Sequence, residues 1–332
     1  MYALIRDQVQ AWEGLHTIPA GFSTPGPYLF LGSGTSHYLA KVASAKATSI
    51  GLLAQAAPTS ELLMDPEVWT RHFKTFVFIS RSGATSEAVA AAKLLRDRGR
   101  SVVAISSHRD SPLPQIANEV FIAEGSEDDT VVMIRSFTTM LLLLQNLVSV
   151  TGGLKPHPVQ ALTKAFADVF QQSKGMTETL AQHPVRRAYV LGGGVRQGIA
   201  DEGVLKMQEM AGAMALAFNP LEFRHGPWGS ITEDDVVFLL GQRRRATYEH
   251  ALLNDLRQRG SRVIPIAPNT WLDPQLGHHG AAVALPDAVA DSDCGPLAVV
   301  PLQVWAWRWA LVNGENPDAP RNLTRVVVLK NE

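Results

Sequence analysis

Short apolar runs alternate along the chain with longer stretches of helical period. Residues 27–34, "PYLFLGSG", form an apolar run ending in glycine, and residues 35–53, "TSHYLAKVASAKATSIGLL", repeat apolar positions every three or four residues. The first predicts a strand and the second the helix that it feeds. The plan recurs at 75–80, "TFVFIS", followed by a helix over 86–99, "SEAVAAAKLLRDRG". Two further β-branched runs, 101–107 and 120–123, precede a long apolar helix over about 130–151. Such alternation predicts a parallel sheet covered by helices on both faces.

The second half repeats the pattern. "RAYVLGGGV" (187–195), "VVFLLG" (236–241), "SRVIPIAP" (261–268) and "AAVALP" (281–286) are predicted strands, with helices over 246–260 and about 296–314. From Gly32 to Ser80 is 48 positions, and from Gly192 to Gly241 is 49. The matched spacing predicts two α/β domains of one topology, 1–153 and 154–332, joined near "TGGLKPHP" (151–158).

Composition narrows the classes. The chain has 332 residues, 46% apolar and 18% charged, with a formal charge of −1. That is an ordinary globular composition. The nearest approach to a basic block is "GQRRRAT" (241–247), so nucleic acid is not an expected partner. The one cysteine, Cys294, has no internal partner, which fits a reducing, cytoplasmic setting. No cysteine or histidine cluster has the spacing of a metal site, and no cofactor is expected. The first residues lack the apolar core of a signal peptide. The greasiest stretches, 138–150 and 298–312, read as buried helices, so no membrane partner is expected.

Chemistry concentrates where the first two predicted strands end. Gly34, Thr35 and Ser36 leave the first; Ser80, Arg81, Ser82, Gly83 and Thr85 leave the second. In a doubly wound sheet two such turns converge on one crevice. Their hydroxyls and backbone N–H groups suit a phosphate. Hydroxyl residues are also favoured as helix N-caps, so a single turn leaves both readings open. Two turns on consecutive strands favour the phosphate. Neither glycine run has the G-x-G-x-x-G spacing, and no Walker-type loop is present. The matching second-half turn, "GQRRRAT", lacks serines, so only the first half is expected to keep a cradle.

In order along the chain stand "GSGTS" (32–36), "SRSGATSEA" (80–88), "RSFTTMLLLL" (135–144), "EGVLKMQEM" (202–210), "EFRHGPWGSI" (222–231) and "PRNLTRVVVL" (320–329). Together they resemble the double-SIS-domain phosphosugar isomerase family. That family includes the isomerase half of glucosamine-6-phosphate synthase, AgaS-type isomerases, SIS-type glucosamine-6-phosphate deaminases and fructosamine-phosphate deglycases. The resemblance implies two three-layer α/β/α domains of flavodoxin-like topology. It also implies a sugar-phosphate ligand and a homodimer with active sites at the subunit interface.

By the same resemblance, Ser36, Ser80, Arg81, Ser82 and Thr85 fall on the phosphate loops, with Gly34, Thr35, Val131 and Arg325 as further substrate-binding candidates. Glu209 matches the proton-shuttling glutamate, Glu202 and Lys206 its acidic and basic partners. His225 matches the ring-opening histidine, which the synthase receives from the neighbouring subunit. Spacing adds that residues 202, 206 and 209 share one helix face. An exposed ladder of ion pairs would have that spacing too. For function, the face must meet the crevice, and the "LGGGVRQG" turn is expected to start this helix at the strand ends. A carboxylate there suits proton transfer between adjacent carbons, a lysine suits enediolate oxygens, and a histidine suits a ring oxygen.

Two departures bear on mechanism. Arg81 stands where glutamine is common, and Arg325 where the synthase has a Schiff-base lysine. A guanidinium stays protonated, so no imine is expected. The chain has no room for a glutaminase domain, so ammonia from glutamine is not expected. The expected activity is aldose–ketose isomerisation of a hexose or hexosamine phosphate, with ammonia release from an amino sugar. A non-catalytic sugar-phosphate regulator, a fructosamine-phosphate deglycase and a dinucleotide oxidoreductase are the alternatives.

Overall fold

The computed structural model describes residues 1–15, 21–156, 159–272 and 281–326. It falls into two compact units. One comprises Gln8–Val159 and the residues from Thr324 onward; the other comprises Met1–Asp7 and Gln160–Leu323. The division falls at 159/160, within the first residues of a helix spanning Val159–Leu180, and each chain end belongs to the unit of the other half.

The first unit is built on five strands: β1 (Tyr28–Gly32), β2 (Ala54–Pro58), β3 (Thr75–Ile79), β4 (Ser101–Ser106) and β5 (Glu119–Ile122). They pair in the order β2-β1-β3-β4-β5, all parallel. Every residue of β1 and β3 is buried, as a strand covered on both faces requires. Alternate residues Leu29, Leu31, Phe76, Phe78, Val102 and Ala104 pack with Ala88, Ala91, Ala92 and Leu95 of helix Ser86–Asp97. Helices Thr35–Ser49 and Arg135–Thr151 pack on each other.

The second unit contains β6 (Arg187–Leu191), β7 (Met214–Phe218), β8 (Asp235–Leu240), β9 (Arg262–Pro268) and β10 (Val283–Leu285). Their order is β10-β9-β8-β6-β7, again parallel and the same winding read from the other edge. Both sheets therefore have the flavodoxin-like order 2-1-3-4-5. The duplication reaches single residues. Gly192 and Gly194 stand 160 positions after Gly32 and Gly34, and Gly34 and Gly194 share a φ of 56°. A Cβ on Gly32 would lie 2.4 Å from the Ser36 carbonyl, and one on Gly192 would lie 2.4 Å from the Arg196 carbonyl oxygen. In each half, glycine lets the strand end touch the backbone of the following helix.

The edge strands β2 and β7 were not expected from the pattern. "AQAAP" lacks β-branched residues, and both strands are half exposed at a sheet edge. The long apolar helix starts at Arg135 rather than near 130, for a specific reason. The buried Asp128 carboxylate accepts the N–H groups of Ile134, Arg135 and Ser136, each at 3.0 Å, and so caps the helix from outside it. Among the described residues no helix is long and apolar enough to cross a membrane.

Candidate active site

Adjacent pairing of β1 and β3, with Leu31 opposite Phe78, sets the turns after them side by side. Gly34 has the positive φ that starts helix Thr35–Ser49, and Thr35 and Ser36 are buried in its first turn. After β3, Ser80 is buried and its Oγ accepts the Gly83 N–H at 3.2 Å. The Ser82 Oγ accepts the Ala84 N–H at 3.2 Å, and Ser80 and Thr85 hydroxyls lie 3.4 Å apart. A hydroxyl that accepts one hydrogen bond still has a proton to donate. Gly83 (φ 59°) is pressed against Ser111, whose Oγ would be 1.9 Å from an added Cβ. Ser33 donates to Glu87 at 3.2 Å, tying the two turns together.

Arg81 points elsewhere. Its guanidinium donates to the carbonyls of Thr130 (3.2 Å), Val131 (3.1 Å) and Arg325 (3.2 Å). The Arg325 guanidinium in turn donates to the Asp128 carbonyl at 2.9 Å. Arg81, Val131 and Arg325 are thus brought together as a latch between the 80–85 turn, the 126–134 loop and the last described residues. Asp128, which anchors this latch, had no marker in the sequence pattern.

In the second unit, Glu202, Lys206 and Glu209 lie along one face of helix Gln197–Ala211. The ladder is not a solvated one. Glu202 and Lys206 have no exposed surface, and Glu209 is 19% exposed. Lys206 Nζ is 3.2 Å from Glu202 and 2.5 Å from Glu209. Burial pushes the Lys206 ammonium down, but the two carboxylates and their hydrogen bonds outweigh it and hold the pKa above the usual lysine value. Gly203 allows the burial, because a Cβ there would sit 2.3 Å from Leu302 of helix Val300–Val312.

Glu209 lies away from the start of its helix. The helix does begin at the carboxyl end of β6, but Glu209 is in its last turn, about 18 Å further on at 1.5 Å per residue. The next strand, β7, starts five residues later at Met214, paired with Arg187, the first residue of β6. Glu209 therefore lies toward the amino-terminal edge of its own sheet, not at the strand ends.

His225 follows a short 3-10 turn, Glu222–Arg224, and precedes another, Pro227–Ser230. Phe223, fully buried against Tyr189 and Phe218, anchors this segment and leaves His225 exposed. The His225 N–H donates to the Glu222 carbonyl at 3.0 Å, so the link to Glu222 runs through the backbone. Among the described residues no cluster of three or more His, Cys, Asp or Glu side chains could hold a metal ion.

Two parallel sheets of identical winding, with hydroxyl-bearing turns on the first, define a tandem doubly wound α/β protein. The chain belongs to the SIS domain family, whose profile matches residues 26–150 and 183–278. The glutamine–fructose-6-phosphate aminotransferase (isomerizing) of Pyrococcus horikoshii is 26% identical over 314 residues, spanning 91% of this chain and 52% of its own length. That of Streptomyces coelicolor is 28% identical over 277 residues, spanning 76% and 44%. The chain thus spans about half the length of the curated relatives it matches. Among solved structures, glucosamine-6-phosphate deaminase from Thermotoga maritima superposes with a TM-score of 0.81 at 23% identity, covering 99% of both chains. The tagatose-6-phosphate ketose/aldose isomerase of Escherichia coli has a TM-score of 0.81 at 22% identity, covering 98% of this chain and 95% of its own. These likenesses establish the fold.

Proposed function

We propose that the chain is a cytoplasmic sugar-phosphate isomerase, working as a homodimer on a hexose or hexosamine phosphate. Ser36, Ser80, Ser82 and Thr85, with the turn N–H groups, take the phosphate. His225, exposed on its own unit and supplied by the neighbouring copy, protonates the ring oxygen as the sugar opens. Glu209 removes the proton from C2 and returns it to C1, passing through an enediol or, for an amino sugar, an enolamine. With an amino sugar the product is an imine at C2; water adds there and ammonia leaves.

Lys206 has a different part from the one its type alone implies. Its ammonium is enclosed between Glu202 and Glu209, so it positions the base and balances its charge. Arg325 forms no imine, and its bond to the Asp128 carbonyl supports a purely structural part.

The observation that carries this reading is the buried ammonium clamping a partly exposed carboxylate, in a chain of the SIS domain family. A panel of hexose, hexosamine and fructosamine 6-phosphates, assayed for ketose and for ammonia, tests it. Turnover of a hexose or hexosamine phosphate that falls by about 10²–10⁴ in Glu209→Gln is the expected result. Binding without turnover by the unaltered protein would make it a regulator instead, and release of an amino acid a deglycase.

A further inference from the structure

The duplication carries one more consequence. Helix Ser86–Asp97 and helix Ala246–Gln258 begin 160 positions apart, like the paired glycines, so residue 196 corresponds to Ser36 and residue 245 to Thr85. Both correspondents are arginines. Ser36 and Thr85 thus give way to cations, while Ser80 and Ser82 correspond to Leu240 and Gln242.

These cations are short of acceptors. Arg196 has no exposed surface, yet none of its three guanidinium nitrogens has a hydrogen-bond partner among the described residues. Its charge acts on the Glu249 carboxyl and the Cys294 thiol, and the thiol, a weak acceptor, also feels a loose side-chain hydrogen bond from it. Arg245 is exposed and lies over the glycine turn, with Nη1 2.4 Å from where a Gly193 Cβ would be and Nη2 2.9 Å from that of Gly194. Its charge also acts on Glu249. Arg243, by contrast, is committed to Asp291 at 3.1 Å and to the carbonyls of Asp287 and Val289.

Glu249 does not neutralise the pair. Its Oε2 already accepts from the Gln242 N–H (2.8 Å) and Trp271 Nε1 (2.9 Å), and its Oε1 has no hydrogen-bond partner among the described residues. A buried, unpaired guanidinium is strongly unfavourable unless an anion and hydrogen-bond acceptors reach it. The turn beside it leads through a 3-10 turn into a 15-residue helix, where the Arg196 and Gln197 N–H groups already donate to the Gly193 and Gly194 carbonyls.

We propose that the second unit carries an oxyanion site of its own, for the phosphate group of a phosphorylated metabolite, formed by Arg196, Arg245 and the Gly193–Val195 turn. Where the first half reads phosphate with neutral hydroxyls, the second reads it with charge. Arg245, exposed and long, admits the ligand by swinging off the two glycines, and Arg196 is the fixed floor.

The test uses the full chain with the first-half cradle disabled by Ser80→Ala, Ser82→Ala and Thr85→Ala, so that the two sites are read separately. Inorganic phosphate and a hexose 6-phosphate are each titrated by thermal shift, and crystals are soaked in selenate for anomalous scattering. Expected are a residual rise in Tm with phosphate, at least halved by Arg245→Ala but not by the exposed control Arg96→Ala, and a selenium peak within hydrogen-bond distance of Arg196. A larger shift with the ester than with inorganic phosphate would identify a phosphorylated metabolite as ligand, and equal shifts a free phosphate. Either result supports the site. No residual shift, an equal loss in Arg96→Ala, or no peak at Arg196 would overturn it. Arg196→Met should abolish the residual shift, and if it fails to fold, the Arg245→Ala result still decides. The phosphosugar reading fails separately, if the triple variant turns over substrate like the unaltered protein.

Discussion

The Arg81 guanidinium donates to the main-chain carbonyl of Arg325, 3.2 Å away and 244 positions later in the chain. Arg325 reaches back to the Asp128 carbonyl, and the Asp128 carboxylate caps helix Arg135–Thr151. The loop proposed to hold phosphate is thereby fastened to the chain's end and to a helix start.

Arg81→Ala removes a buried cation's three bonds to carbonyls and frees the tail. Bonds to charged groups contribute about 1.5–3 kcal/mol each, and water recovers part of that, so a loss of ~2–4 kcal/mol is expected. Urea unfolding measures it, and limited proteolysis should show faster cleavage after Leu323. A loss under about 0.5 kcal/mol, the range of an ordinary surface substitution, would show that the latch does not bear on stability.

Lys206→Met leaves the buried Glu202 carboxylate without its counter-charge. Breaking a buried pair from one side destabilises by about 3–5 kcal/mol. Adding Glu202→Gln should recover much of this, because both charges are then absent. A double-mutant cycle in urea checks it; additive losses would contradict a coupled pair.

Glu249 links stability to pH. Burial raises its carboxyl most, its hydrogen bonds and the two arginine charges pull it down, and the outcome is a pKa of about 7 against 4.5 for an ordinary glutamate. The folded state therefore holds this proton more tightly than the unfolded one. The stabilisation from the protonated form is present below about pH 4.5 and is lost as pH rises to about 7. Glu249→Gln keeps an acceptor for Gln242 and Trp271 while removing the charge. Its stability relative to the unaltered protein should rise over that window, by about 1–3 kcal/mol, and level off above it. Thermal melts from pH 5 to 8 test this; a constant difference would rule it out.

Gly32→Ala brings a methyl group to 2.4 Å from the carbonyl carbon and oxygen of Ser36, backbone atoms that no rotamer change moves aside. A loss at or above the top of the usual overpacking range, ~3 kcal/mol, is expected, and Gly192→Ala should behave alike. Gly99→Ala is the comparison: it meets no atom within 4 Å and bears only the strain of φ 66°.

Elements buried on both faces could be read from the chain because nothing competes with hydrophobicity there: β1, β3 and β8 lie where their apolar runs predict. The edge strands β2 and β7 could not, since an edge strand is defined by the neighbour it pairs with and little by its own side chains. The site divides in the same way. Hydroxyl turns and the 202/206/209 spacing are local facts. That Lys206 is enclosed, that Arg81 faces carbonyls and that Glu209 sits at the far end of its helix are facts of packing.

The sequence by itself determined the alternation, the two glycine turns in each half and the family motifs, because each is a matter of spacing along one strand or helix. Only the tertiary structure decided which polar side chains lost water and which partners they met there. Arg196 and Ser36 occupy corresponding positions, yet one ended as a fully buried cation and the other as a turn hydroxyl. Charge and hydrogen bonding depend on distances between elements far apart in the chain, and those distances exist only once the sheets are closed.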